Sequence, residues 1–299
     1  MTDNPHDGWV EVRRFTARAD AEQHALVLAA VGIGCQLVPR EGAVGLAVAH
    51  PDAARARQEL ASYALEDQRW SQSSPPTRPL IQGLDNTLAY CAVLLLLFGA
   101  SRRQTFSQDW WSAGTAQAGL IVDGEWCRTL TALGLHADLG HLVSNLAFGS
   151  FLGLLLAQVL GAGVAWLAIL LAGAAGNALN ALLHPAAHTA VGASTAVFAA
   201  LGLLAALTWS QRACLWQHGL RRWLPLAAGV MLLAYLGFGG ERTDLGGHIA
   251  GFAAGTTLGV GLAYAGHCVP QGTSAQWTFG TAALALFALA WLLALRAHG

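Results

Sequence analysis

Seven stretches of the chain are apolar over roughly the length that a bilayer crossing requires, about 20 residues, and polar sequence separates them. They lie near 84–100, 141–160, 162–183, 194–209, 223–238, 246–265 and 279–295. The pattern predicts seven membrane helices, of which the fourth and fifth fall shortest of a full span. The first 70 residues follow other periods. Positions 9–15 alternate like a half-buried strand, and 19–31 read as a helix. Short strands at 35–39 and 44–49, turning at Gly42, and a helix over 52–65 complete a βαββα unit. The stretch Ser71-Gln72-Ser73-Ser74-Pro75-Pro76-Thr77 has too little apolar surface to fold and reads as a linker. The expected organisation is a small soluble cytoplasmic α+β domain over 1–70, a linker over 71–83, a six-helix membrane core over 84–265, and a loop with an additional C-terminal transmembrane helix over 266–299. The fold class is therefore all-α polytopic membrane protein with a small N-terminal α+β domain.

Composition agrees with lipid as the main solvent: 55% of residues are hydrophobic, 11% are charged, and the mean hydropathy is +0.46. Between His141 and Gly240 the only charged side chains are Arg212, Arg221 and Arg222. A formal net charge of −1 provides no basic surface for phosphate, so a nucleic-acid partner is set aside. The five cysteines, Cys35, Cys91, Cys127, Cys214 and Cys268, show neither CxxC spacing nor a histidine at ligand distance. No zinc site and no cofactor are expected. The first ten residues lack the basic and apolar regions of a cleaved signal.

Positive charge concentrates in cytoplasmic loops. With the N-terminus inside, the loop holding Arg212, Arg221 and Arg222 is inside too, while the long first loop, with Arg102, Arg103 and Arg128, is outside. Ser194 and His248 then both start helices at the outer face.

Polar side chains inside a membrane are costly and commonly functional. Ser194, in Gly192-Ala193-Ser194-Thr195-Ala196, and His248, in Asp244-Leu245-Gly246-Gly247-His248, supply a hydroxyl nucleophile and a base able to take its proton. Asp244, one turn before His248, has two readings: a third group orienting the imidazole, or a cap on the helix N-terminus. The cap is favoured, leaving a dyad. Gly247, Gly251 and Gly255 repeat every four residues, a stripe that lets another helix approach closely. His141 and Asn145, four apart, share one helix face. They could donate to an oxyanion together with the Ser194 N–H, or simply bond neighbouring helices.

These motifs together resemble the rhomboid family of intramembrane serine proteases over roughly 84–265. Gly192-x-Ser194 is similar to the family's nucleophile motif, His248 with Gly251 and Gly255 to its base helix, and His141-x-x-x-Asn145 to its oxyanion motif. His136 matches a further histidine of the same segment, with a structural role. Glu125-x-x-Arg128 matches the end of the first loop, which braces the fold. Phe198 stands where the family packs an aromatic ring on the base. Departures are Thr195 after the serine, where glycine is frequent, Gly247 before the base, where alanine is frequent, and Cys127 in place of a tryptophan.

The resemblance implies a serine endopeptidase in the cell (cytoplasmic or inner) membrane that cleaves transmembrane protein substrates near the outer end of their helices. It needs water and no metal, and its partners are those substrates and the lipid bilayer. The N-terminal domain then has a regulatory or assembly role with an unknown partner. Two other classes fit the helix count: a catalytically silent rhomboid-like protein that binds membrane clients, and a small-solute transporter. The transporter lacks the midplane ionisable groups or internal repeat it would need.

Overall fold

The computed structural model describes residues 8–73, 83–215, 223–237, 244–265, 269–270 and 272–298. The chain divides into two compact units, Met1–Pro75 and Pro76–Gly299.

In the first unit the order is β1 (Trp9–Phe15), α1 (Arg18–Ala30), β2 (Cys35–Arg40), β3 (Ala43–Ala49) and α2 (Ala53–Ser73). The strands form one antiparallel sheet in the order β1-β3-β2, with Phe15 opposite Val44 and Cys35 opposite Val48. Leu46 and Val48 of the central strand are fully buried against Ala21 and Leu28 of α1 and Ala56 and Leu60 of α2. Thus one helix-covered sheet face supplies the core. α2 continues through Ser73, beyond the helix end expected near 65 and into the expected linker, because no proline or glycine interrupts it before Pro75. The rest of that linker lies outside the described residues.

The second unit is helical. Seven helices, α3 (Leu84–Arg103), α7 (Leu139–Leu160), α8 (Ala162–Leu183), α9 (Ser194–Leu215), α10 (Leu224–Gly237), α11 (Leu245–Ala265) and α12 (Thr273–His298), occupy the seven apolar windows. Among the described residues four of them, α3, α7, α8 and α12, are long and apolar enough to cross a membrane by themselves. Large apolar side chains such as Leu88, Leu96, Phe151, Leu183 and Met231 are exposed on their outer faces. Such a surface suits hydrocarbon, where each helix satisfies its own backbone hydrogen bonds. The protein is embedded in a membrane and crosses it several times. Arg212, Arg221 and Arg222, which carry the orientation argument, lie outside the residues whose side chains are described.

The first loop, between α3 and α7, is not irregular. It folds as three short helices, α4 (Trp110–Gly114), α5 (Ala118–Val122) and α6 (Arg128–Thr131), with a two-residue strand β4 (Ala116–Gln117) paired to β5 (Thr189–Ala190). The largest apolar cluster joins α7, α8 and α9 through Leu152, Leu156, Ile169, Val197 and Leu203. α12 packs on α8 where Gly163 and Gly280 meet, and Trp291 covers Gly114 and Leu135. The C-terminal helix is therefore part of the scaffold under the first loop.

Candidate active site

α9 begins where the chain leaves β5 through a turn at Gly192, whose φ is +123°. An L side chain is strained there. A Cβ at Gly192 would also stand 2.6 Å from Nε2 of His141 and 3.5 Å from Oγ of Ser194. Glycine is thus required twice over, and its bare face brings the His141 ring and the Ser194 hydroxyl to one small space. Its own N–H is held by the Ala132 carbonyl at 2.9 Å, which ties the turn to the first loop.

α11 lies directly on α9. A Cβ at Gly251 would collide with the Thr195 carbonyl, one at Gly255 with the Ala199 carbonyl, and one at Gly247 would stand 3.2 Å from the Thr195 hydroxyl. The glycine stripe faces the Ser194 helix along more than two turns, so backbone meets backbone. His248, buried at the head of α11, stacks on Phe198 with ring centroids 4.3 Å apart. Phe198 is four residues after Ser194, hence on the same face of α9. The hydroxyl and the imidazole head the two most closely packed helices.

Asp244 caps α11: its Oδ1 accepts the Gly247 N–H at 3.1 Å. Its Oδ2 accepts from Asn180 Nδ2 at 2.7 Å.

α7 carries His141 and Asn145, with Asp138 capping the helix through the His141 N–H at 2.8 Å. Asn145 is buried, and its Nδ2 has no hydrogen-bond partner. A buried donor left unpaired costs roughly 1–3 kcal/mol, which is rare unless the group serves a ligand. The Asn145 carbonyl is held by the Tyr90 hydroxyl at 2.7 Å. His136 lies fully buried beneath His141, their ring centroids 5.1 Å apart. Its Nε2 accepts the Ala193 N–H at 3.4 Å, and Nδ1 lies 3.3 Å from the Gly134 carbonyl. Burial pushes its pKa down to about 4, and the neighbouring His141 adds to that. The ring is neutral, with Nδ1 protonated and Nε2 free to accept.

Arg128, 1% exposed, anchors the first loop. It donates from Nε to Glu125 at 2.6 Å and from Nη1 to the carbonyls of Ser112 and Thr115, both at 2.8 Å. The fourth partner comes from α12: His298 Nε2 lies 2.7 Å from Arg128 Nη2 and 2.9 Å from Glu125 Oε2. One ring nitrogen cannot accept from the arginine and donate to the carboxylate at once, so its proton decides between them. Hydrogen bonds from His298 and then Arg128 hold the Glu125 carboxyl below its ordinary range.

The structure thus gathers Ser194, Gly192, His141, Asn145 and His136 at one end of the bundle, with Phe198 further along the Ser194 helix and His248, Gly251 and Gly255 on the adjoining one. Glu125 and Arg128 stand apart as a brace. His298, Tyr90 and Asn180 escaped the sequence reading, since their partners are 173, 55 and 64 residues away and no local spacing reports them.

A polytopic helical membrane protein with a serine at the head of one helix, a histidine at the head of the helix packed on it, and a folded first loop defines a narrow class. Residues 123–265 match the Rhomboid domain family. The likeness to that family covers a little under half of the chain and includes His136, His141, Asn145, Ser194 and His248. The chain is 34% identical over 150 residues to Rhomboid-like protease 3 of Toxoplasma gondii, covering 48% of this chain and 55% of that protein. It is 31% identical over 153 residues to the rhomboid protease GluP of Bacillus subtilis, covering 49% and 29%. Rhomboid-like protein 11, chloroplastic, of Arabidopsis thaliana is 32% identical over 143 residues, covering 44% and 51%. The matches span about half the length of two of these relatives and less of GluP.

Proposed function

We propose that the protein is an intramembrane serine endopeptidase using a Ser194–His248 dyad. The observation that carries this reading is the convergence at Gly192, where the Ser194 hydroxyl and the His141 ring border one space while the His248 helix packs on Thr195. The protease names of two relatives agree with it.

Ser194 Oγ attacks a substrate carbonyl carbon as His248 takes the hydroxyl proton. The resulting oxyanion accepts hydrogen bonds from Asn145 Nδ2, the His141 ring and the Ser194 N–H. His248 then gives its proton to the leaving amine. In the second half His248 takes a proton from water, whose oxygen attacks the acyl carbon, and returns it to Ser194 Oγ as the acyl bond to serine breaks and the carboxylic acid product leaves. The His248 ring, backed by Phe198, stays oriented by stacking, while Asp244 caps its helix. The substrates are transmembrane proteins whose helix unwinds locally to expose the carbonyl. Arginine placement in the sequence favours an N-terminus in the cytoplasm, with the site at the outer side of the cell membrane.

A catalytically silent, client-binding rhomboid-like protein is the second reading. Against it, Ser194 and His248 are both present in the sequence. Treatment of the purified protein with a fluorophosphonate probe separates the two. Labelling that disappears in Ser194→Ala, together with loss of cleavage of a transmembrane substrate, is the expected result. Cleavage by purified Ser194→Ala protein, or an unlabelled wild-type serine, overturns the assignment.

A further inference from the structure

A second polar cluster lies where α8 ends and α11 begins. His184, at the end of α8, and His188, four residues on, stack with centroids 4.2 Å apart. Asp244 Oδ2 is 3.4 Å from His188 Nε2. One ligand atom from each of His184, His188 and Asp244 lies within 4.8 Å of the others, and all three residues are only partly buried.

The hydrogen bonds fix which nitrogens carry lone pairs. His184 Nδ1 sits 2.9 Å from the Asn180 carbonyl, which can only accept, so Nδ1 holds the proton and Nε2 is free. Asn180 Nδ2 donates to Asp244 Oδ2 at 2.7 Å and stands 3.3 Å from His188 Nε2, which therefore accepts. That orientation of the amide leaves Asn180 Oδ1 facing the other way. Asn180 is 3% exposed, and its Oδ1 has no partner. A Cβ at Gly246 would stand 2.7 Å from this oxygen and 2.9 Å from His184 Nε2, so both point at the gap that glycine leaves. Asn180 Nδ2 is shared between Asp244 Oδ2 and His188 Nε2, and the buried Asn180 Oδ1 has no donor to serve it.

The geometry points to a divalent transition-metal site, of the zinc class, held by His184 Nε2, His188 Nε2 and Asp244 Oδ2, with Asn180 Oδ1 beside it. Two imidazoles and one carboxylate suit Zn²⁺ with water in the fourth position. Tetrahedral bonds of about 2.0–2.2 Å set ligand atoms roughly 3.4 Å apart, which small rotations of the partly exposed rings achieve. The His184 Nδ1–H bond to a carbonyl is the support that metal-bound histidines usually have. Asp244 Oδ1 keeps its cap on Gly247 while Oδ2 binds metal. The ion therefore ties the end of α8 to the start of the His248 helix. The sequence reading expected no metal because it followed the cysteines. These ligands assemble only in the fold. Protonation of one imidazole beside Asp244 is the rival way to supply positive charge.

The test uses the full, tag-free chain carrying Ser194→Ala, so that its outcome is independent of proteolysis. The protein is purified in detergent, stripped with a chelator and titrated with Zn²⁺ by calorimetry, and metal content is measured after desalting. One equivalent bound, weakened at least tenfold by His184→Ala and by His188→Ala, is expected. Both positions are partly exposed, so these variants fold. Asp244→Asn should weaken binding as well, read alongside its circular dichroism. Failure of the stripped protein to take up a stoichiometric equivalent, or an equivalent retained by both histidine variants, overturns the site and leaves protonation as the answer.

Discussion

The imidazole of His136 accepts the backbone N–H of Ala193, the residue before Ser194, at 3.4 Å. A fully buried neutral ring thereby supports the turn that presents the serine.

Acid should release that support. The folded His136 titrates at about 4, against an ordinary value of 6.5. The unfolded chain thus binds a proton as pH falls through 6.5 while the folded chain does not. The contribution is fully present above pH 6.5 and is lost progressively down to about pH 4, on the order of 3 kcal/mol. Thermal unfolding of the wild type in detergent should show this acid slope, flattened in His136→Gln. Parallel curves for the two proteins would contradict the assignment.

Replacing Gly251 by alanine drives a methyl group into the Thr195 carbonyl. Overpacking of this kind costs about 1–3 kcal/mol. Gly261 of the same helix has open space around its Cβ position, and Gly261→Ala should be neutral or stabilising by up to about 1 kcal/mol. Equal effects of the two substitutions on unfolding would show that the stripe does not set the α9–α11 contact.

Asn145→Ala removes a buried donor with no partner and keeps the backbone carbonyl that Tyr90 binds. Stability should change by less than about 1 kcal/mol, because no bond is lost. The rate constant of cleavage should fall roughly 10²–10³-fold if the amide serves an oxyanion. A large loss of stability with little change in kcat would assign Asn145 to helix packing instead.

Arg128→Ala deprives Glu125 and two carbonyls of a buried guanidinium, and should destabilise by about 3–5 kcal/mol. His298→Ala leaves the Arg128–Glu125 pair intact, so a smaller loss is expected. Because the Glu125 carboxyl is held below 4.5, its contribution is present above that pH and disappears as pH falls through the lowered value. Wild type and Glu125→Gln should therefore converge in stability in strong acid. A gap that persists there would assign the brace to packing.

Hydropathy revealed all seven helices because lipid imposes a long apolar run on each, and even the short α10 kept one. The glycine-rich α11 is a weak span by composition, and its register was legible only through the four-residue repeat. Ser194, His248, His141 and Asn145 could be singled out as candidates because each sits in a local motif near a helix head. The Arg128–His298 contact and the His184–His188–Asp244 cluster were not. Their members belong to different windows, and single-chain periodicity says nothing about which ends meet. The short helices of the first loop were missed for another reason: four or five residues are too few to show a helical period.

Where Gly251 and Gly255 lie on the Thr195 and Ala199 carbonyls, α9 and α11 touch through backbone atoms that have almost no slack. Neither helix can slide along the other there without driving backbone into backbone, so this contact sets the height of His248 relative to Ser194. On the proposed function, a doorway for a bulky substrate would therefore open in another wall of the bundle.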